Sequence, residues 1–333
     1  MPRLRRVAAS SAGWHRRRAG RGFSYTDSEG NPLGPVDVER VRSLAIPPAW
    51  RDVWICPYPN GHLQATGLDA AGRRQYLYHP VWRLTRDTEK FARILEVSGR
   101  LPAVRAEVSQ DLELDGMPVE RALAVAFRLL DLGAFRIGSD AYADQNGSFG
   151  LTTLQRRHVR RSGSDIVFSF VGKSGISHVI TISDPQAIAA LEVMRRRRDS
   201  GTGLLAYRRS TGWSELTASM VNDYLGGLFG TGFTAKDFRT WNATVMAAES
   251  LALSEEPGHT AASRKRAIKA AATAVSDYLG NTVAVAKASY IDPRVVDLYE
   301  SGVTIAHAAA RSYSTPDKRK TAIEAAVREM LTP

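Results

Sequence analysis

Through the first eighty or so residues, apolar and polar positions alternate in short runs. Beyond Glu89 the apolar positions recur at helical spacing. Phe23 to Tyr25 begins a strand-like run, and Val36 to Leu44 reads as a short helix. Val53-Trp54-Ile55-Cys56, His62 to Thr66 and Arg74 to His79 read as strands, divided by Pro57-Tyr58-Pro59-Asn60-Gly61 and Asp69-Ala70-Ala71-Gly72. Short strands joined by Gly/Asn turns predict an antiparallel sheet. In Gln75-Tyr76-Leu77-Tyr78 a period of two puts Tyr76 and Tyr78 on one face and Gln75 on the other. A linker-like stretch over Trp82 to Asp87 leads into the helices. These are predicted at Ala122 to Leu132, Pro185 to Arg198, from Thr217 as cap through Leu228, from Thr234 through Leu251, and at Ala261 to Leu279. A broken helix from Ala306 and an amphipathic one over Asp317 to Met330 follow. Asp165 to Phe170 and His178 to Ile182 form a hairpin around Val171-Gly172-Lys173-Ser174-Gly175. The pattern predicts an α+β protein in three parts: a basic, mobile arm over 1–22, a small β-rich domain over 23–88 and a mostly helical domain over 89–333.

Composition adds a partner class. The chain has 333 residues, 44% of them hydrophobic, which suffices for a sizeable core. Its formal net charge of +11 favours a polyanion, nucleic acid before an anionic membrane. No apolar run approaches the length of a membrane span, and no apolar signal segment follows the Arg-rich start. The expected location is therefore the cytoplasm. Arg195-Arg196-Arg197-Arg198 either suits a helix C-terminus or touches phosphate.

Several chemistries fail. The single cysteine, Cys56, excludes an intramolecular disulfide and finger-type zinc sites, and its apolar run predicts a buried thiol. The seven histidines are scattered and no His-Glu-x-x-His is present, so no metal centre is expected. Gly172-Lys173-Ser174 resembles the end of a phosphate loop, but the earlier glycine falls at Val167. Neither ATP nor any other cofactor is expected.

What remains is a set of cations and one tyrosine. Arg136 lies in Phe135-Arg136-Ile137-Gly138 after an apolar helix, and Lys173 tops the hairpin. Lys236 and Arg239 are three apart, hence neighbours on one helix face. Tyr290 ends the Ala-rich run from Gly280, followed by Asp292-Pro293 as N-cap and first residue of another helix. At such a junction a phenol can sit at a surface and meet a substrate.

These stretches, with Tyr142 before Gly150-Leu151-Thr152-Thr153-Leu154, Lys236-Asp237-Phe238-Arg239-Thr240 and Asn281 through Tyr290, resemble the poxvirus-type and bacterial type IB DNA topoisomerases in order and spacing. Gly61 to Gly67 and Gly72 to Tyr78 resemble the family's β-rich domain. The resemblance implies a C-shaped clamp on double-stranded DNA, acting as a monomer, with a catalytic domain of the tyrosine recombinase/type IB topoisomerase type. Supercoils of either sign would relax through a 3′-phosphotyrosyl intermediate without ATP. It also implies roles: Tyr290 as nucleophile, Arg136 and Arg239 on the non-bridging oxygens, Lys173 as general acid, and Asn281 as hydrogen-bond donor. Gln75, Tyr76, Tyr78, Tyr142 and Lys236 match DNA-contacting positions, with a cross-strand packing pair as the other reading of the β-domain tyrosines. Asn281 departs from the poxvirus pattern, which has histidine there, and Ser174 stands where that pattern has an acid. A tyrosine site-specific recombinase shares the Arg, Lys and Tyr logic, and a binding protein with a decayed site is a further alternative. The Gly61 to Tyr78 motif argues against the recombinase, and the intact set of Arg136, Lys173, Arg239 and Tyr290 against decay.

Overall fold

A computed structural model describes residues 3–139, 147–230, 232–254 and 260–332; Tyr142 lies outside them. Contacts group the chain into two units, Met1–Phe91 and Ala92–Pro333.

Five strands carry the first unit: β1 (Trp14–Ala19), β2 (Gly22–Thr26), β3 (Arg51–Ile55), β4 (Leu63–Leu68) and β5 (Arg74–Tyr78), in the order β2-β1-β3-β4-β5. All pairings are antiparallel. Helix α1 (Pro35–Ser43) closes one face over Val41, Ile46, Val53, Ile55 and Ala65. Cys56 packs with Trp54 and Leu63 and is fully buried, as its apolar run predicts. On the edge strand β5, Leu77 turns inward while Tyr76 and Tyr78 are exposed, as the period of two requires.

Two expectations are corrected here. The basic arm is part of the sheet: β1 lies between β2 and β3, and Arg5 and Gly61 form a further bridge. Arginine disguised the strand, because its stem and guanidinium can take the place of an apolar side chain. Arg16 donates to the carbonyls of Ile46, Pro47 and Trp50 and stacks over Phe23, while Arg5 lies 3.6 Å over the Tyr58 ring. The linker-like stretch at Trp82 to Asp87 is inside a continuous helix, α2 (Pro80–Ser98). Proline at its start and the i,i+3 pairs Arg86–Glu89 and Lys90–Asp87 support it.

In the second unit, α3 (Leu101–Leu112) and α4 (Val119–Leu132) are followed by a three-stranded sheet of β6 (Val159–Ser162), β7 (Asp165–Val171) and β8 (Ser177–Ile182). Then come α5 (Pro185–Arg196), the pair β9 (Ala206–Arg209) and β10 (Gly212–Glu215), and α6 (Ala218–Phe229). The C-terminal helices are α7 (Ala235–Ala252), α8 (Ala261–Leu279), α9 (Val283–Ser289), α10 (Pro293–Glu300), α11 (Ala306–Ala310) and α12 (Pro316–Leu331). Phe127 on α4 meets Phe229 and Phe238, which centres the core where α4, α6 and α7 converge. Of the arginine run only Arg197 is buried, paired with Asp199; Arg195 and the exposed Arg196 pair with Glu192, and Arg198 is exposed.

Beneath the start of the Arg136 loop lies a charged knot. Asp131 accepts from Arg105 on α3 and Lys320 on α12, and Arg105 also binds Glu324. Burial pushes the Asp131 carboxyl up, but Lys320 and Arg105 outweigh it and hold it at about 2. Removing one member strands the others, so Asp131→Ala is expected to cost roughly 3–5 kcal/mol in thermal or denaturant unfolding. Because the folded pKa lies below the unfolded one, this stabilisation is complete above roughly pH 4 and is lost as pH falls toward 2. The wild-type melting temperature should fall across that window more steeply than that of the variant.

Candidate active site

Three turns and one helix bring the site together. The Arg136 loop leaves α4 after Gly133, and Gly138 there has φ +98°. A Cβ on Gly150 would lie 2.5 Å from Gly138 Cα and 2.8 Å from the Arg136 carbonyl. Only glycine allows this approach, across which Leu151 N–H bonds the Arg136 carbonyl at 2.7 Å. The two motif stretches Phe135 to Gly138 and Gly150 to Leu154 are thus one local structure.

Asn281 sits in a second turn. Gly280, in the left-handed region at φ +61°, ends α8, and Thr282 caps α9 by accepting from Val285 N–H. Tyr290 closes α9, and Asp292 caps α10 with Pro293 in its first turn, as the spacing predicts.

Arg239 on α7 joins these turns. It is 3% exposed and donates to the Ala134 carbonyl on one side and, at 2.8 Å, to the Leu279 carbonyl on the other. Arg136 closes the ring by donating to Asn281 Oδ1 at 2.5 Å. That bond fixes the amide orientation and leaves Asn281 Nδ2 as a donor. Arg136 Nε, Arg239 Nε and Asn281 Nδ2 are all buried without a hydrogen-bond partner. Unpaired buried donors cost about 1–3 kcal/mol each, and an anion that accepted from these three would remove that cost.

Tyr290 lies under this cluster, 7% exposed, with its ring centroid 5.5 Å from the Arg239 guanidinium carbon. It is buried rather than at the open surface expected from the sequence. Its neighbours Ala286 and Ile291 pack into the core, and Thr244 on α7 holds its backbone. Thr244 donates to the Tyr290 carbonyl and accepts from Asp292 N–H. Burial alone would raise the phenol pKa, but Arg239, Arg136 and Lys236 outweigh it and leave it below its ordinary value. Burial, then Arg136, push Arg239 down to about 10, still charged at neutral pH.

Lys236 is exposed in the first turn of α7, whereas Arg239 is buried. Asp237 secures this turn: it accepts from Thr234 N–H and pairs with Arg93 at 3.1 Å. Lys173 stands on a single 3₁₀ turn between β7 and β8, beside Ser174 at φ +65°. It lines a cleft of about 250 Å³ together with Arg136, Phe149 and Gly150. Gln75, Tyr76 and Tyr78 belong to the other unit. There the two tyrosine rings stack at 6.1 Å and Gln75 donates to Asp69. Among the described residues, no group of three or more His, Cys, Asp or Glu stands where it could hold a metal ion.

The sequence reading missed Thr244 and His178. Thr244 carried no signal beyond its place on the Arg239 helix. His178 pairs across the hairpin with Phe170, a register that was available, and its ring lies against Gly172 and Gly280.

The chain is similar in sequence to known proteins. Residues 79–311 match the model described as the catalytic core of eukaryotic DNA topoisomerase I, and residues 22–69 match that of the N-terminal domain of bacterial DNA topoisomerase IB. The chain belongs to the type IB DNA topoisomerase family. It is 30% identical over 298 residues to DNA topoisomerase 1B of Acanthamoeba polyphaga mimivirus, covering 87% of this chain and 88% of that protein. DNA topoisomerase 1 of Schizosaccharomyces pombe is 29% identical over 50% of this chain and 19% of its own length. DNA topoisomerase 1B of vaccinia virus (strain Western Reserve) is 27% identical over 35% of this chain and 37% of its own. Among the described residues, no helix is long and apolar enough to cross a membrane.

The electrostatics are open to direct titration. The absorbance difference between wild type and Tyr290→Phe isolates this phenol, which is expected to ionise below the ordinary 10. Lys236→Gln removes an exposed charge and should move that transition up. A wild-type transition above 10 would refute the balance of charges described here.

Proposed function

We propose that the protein relaxes both positive and negative supercoils in double-stranded DNA by transient cleavage of one strand, without ATP. Tyr290 attacks the phosphorus and becomes joined to the 3′ phosphate. The 5′ oxygen leaves, taking a proton. The free end rotates about the intact strand, and its 5′ hydroxyl then attacks back and releases Tyr290. One phosphoester is exchanged for another at each step, so bond energy is retained and no external energy source is required.

The observation that carries this reading is the trio of unpartnered buried donors, Arg136 Nε, Arg239 Nε and Asn281 Nδ2, beside a tyrosine whose phenol is held below its ordinary pKa. As a phosphate passes through a pentavalent state, its non-bridging oxygens gain charge, and fixed donors there are worth about 10²–10³ in rate each. Planar guanidinium groups suit two oxygens at once. Lys173, across the cleft from Arg136, is the general acid for the 5′ oxygen, and Arg136 assists as a relay. Lys236 helps to favour the phenolate. Tyr76 and Tyr78, exposed on β5, and Gln75 contact the DNA groove, and Tyr142 contacts it from the catalytic part. Closure on the duplex as a monomeric clamp, on the nucleoid, completes the reading, with affinity falling steeply as salt rises.

Plasmids of either supercoil sign, assayed in EDTA without ATP, are expected to be relaxed by wild type and left untouched by Tyr290→Phe. Measurable relaxation by that variant would remove Tyr290 as nucleophile, and an inactive wild type would remove the activity. Lys173→Ala should slow single-turnover cleavage by roughly 10²–10⁴ on an ordinary strand. On a strand with a 5′-thiol leaving group, which leaves without a proton, the rate should recover; persistent slowness would move the acid elsewhere.

A further inference from the structure

His178 is absent from the roles above, yet its ring occupies the space between two parts of the site. It stands on β8 opposite Phe170 and stacks on that ring at 5.2 Å and 20°. On one side is Gly172, immediately before Lys173. A Cβ there would lie 2.7 Å from His178 Cδ2 and 2.8 Å from Nε2. On the other side is Gly280, immediately before Asn281, where a Cβ would lie 2.4 Å from Cε1 and 3.0 Å from Nε2. The imidazole therefore touches bare backbone on both sides, and each glycine is needed for its fit. Burial, then Arg239 and Arg136, lower the His178 pKa, so the ring is neutral at neutral pH and packs as a flat, uncharged plate.

The geometry points to His178 as a positioning residue: its ring is the spacer that sets the Lys173 turn at a fixed distance from the Asn281 turn, so that acid and phosphate donors meet one phosphodiester. Arg136 is bonded to Asn281, so the spacing to the Asn281 turn is also the spacing to Arg136. The role rests on the reading of Lys173 as the general acid.

Two variants reach the spacer from opposite sides. His178→Ala removes it. Gly172→Ala, at a backbone φ of −97° that alanine adopts freely, pushes a methyl into it, while the next neighbour, the Ile176 carbonyl, stays at 3.6 Å. Each should slow single-turnover cleavage of an ordinary strand by roughly 10–10²-fold, the cost of a misplacement of about an ångström. DNA affinity should stay near wild type, and most of the rate should return on the 5′-thiol strand, because the misplaced group is the acid. The double variant should be no slower than His178→Ala alone, since the methyl then has nothing to displace. Wild-type rates in both single variants, additive losses in the double, or equal slowing on both strands would overturn the role. Lys173→Ala on the 5′-thiol strand is the control. If that variant is not rescued, the acid reading fails on its own account, and the spacer is then judged by the double-variant comparison.

Discussion

The site depends on one guanidinium. Arg239 reaches from α7 to the Ala134 carbonyl and to the Leu279 carbonyl, two residues before Arg136 and two before Asn281. Two of its five N–H groups thus fix the turns that present the other donors. Its Nε remains unpaired and is available to a phosphate oxygen. One side chain therefore builds the site and, in the proposed reaction, also acts in it. A lysine has a single ammonium on a flexible stem and could not hold both carbonyls in one plane while keeping a donor in reserve.

Such an arrangement is costly. Two guanidinium groups repel each other across a buried space, and three donors lack partners. The surrounding fold offsets that strain with neutral or paired groups. Asp237 closes the first turn of α7 and pairs with Arg93, Asp131 gathers Arg105 and Lys320 beneath α4, and Thr244 ties Tyr290 to α7. An anion bound there would relieve the part of that cost borne by Arg136, Arg239 and Asn281.

Most of this was legible in the sequence because the decisive signals are local. Thr217 and Thr234 at helix starts, Asp292-Pro293 after Tyr290, and the Gly-bearing turns around Arg136 and Gly280 all report backbone geometry a few residues away. Where reading failed, the information was non-local or carried by an unexpected residue type. β1 hides because Arg16 fills an inward position through its stem and through stacking on Phe23, which a hydrophobic pattern does not register. The first part of α2 reads as a linker because polar residues there are stabilised by i,i+3 pairs rather than by burial. The burial of Tyr290 depends on Thr244, forty-six residues away, and the setting of His178 depends on two glycines on different elements. No local pattern could have joined them.

Asn281 shows why the charge at that place can be dispensed with. The poxvirus pattern has a histidine here, but in this chain the position already lies against Arg136 and close to Arg239. A protonated imidazole would be a third cation in a space where burial, then Arg136, already push Arg239 down to about 10. It would also have no lone pair with which to accept from Arg136. The amide does both tasks without charge: Oδ1 accepts from Arg136 and so orients that guanidinium, and Nδ2 is left as a donor. Asparagine therefore turns a cationic donor into a positioned one and passes a hydrogen bond on in the same direction. Net positive charge then remains on the two arginines and two lysines of the site, whose side chains approach it from separate elements.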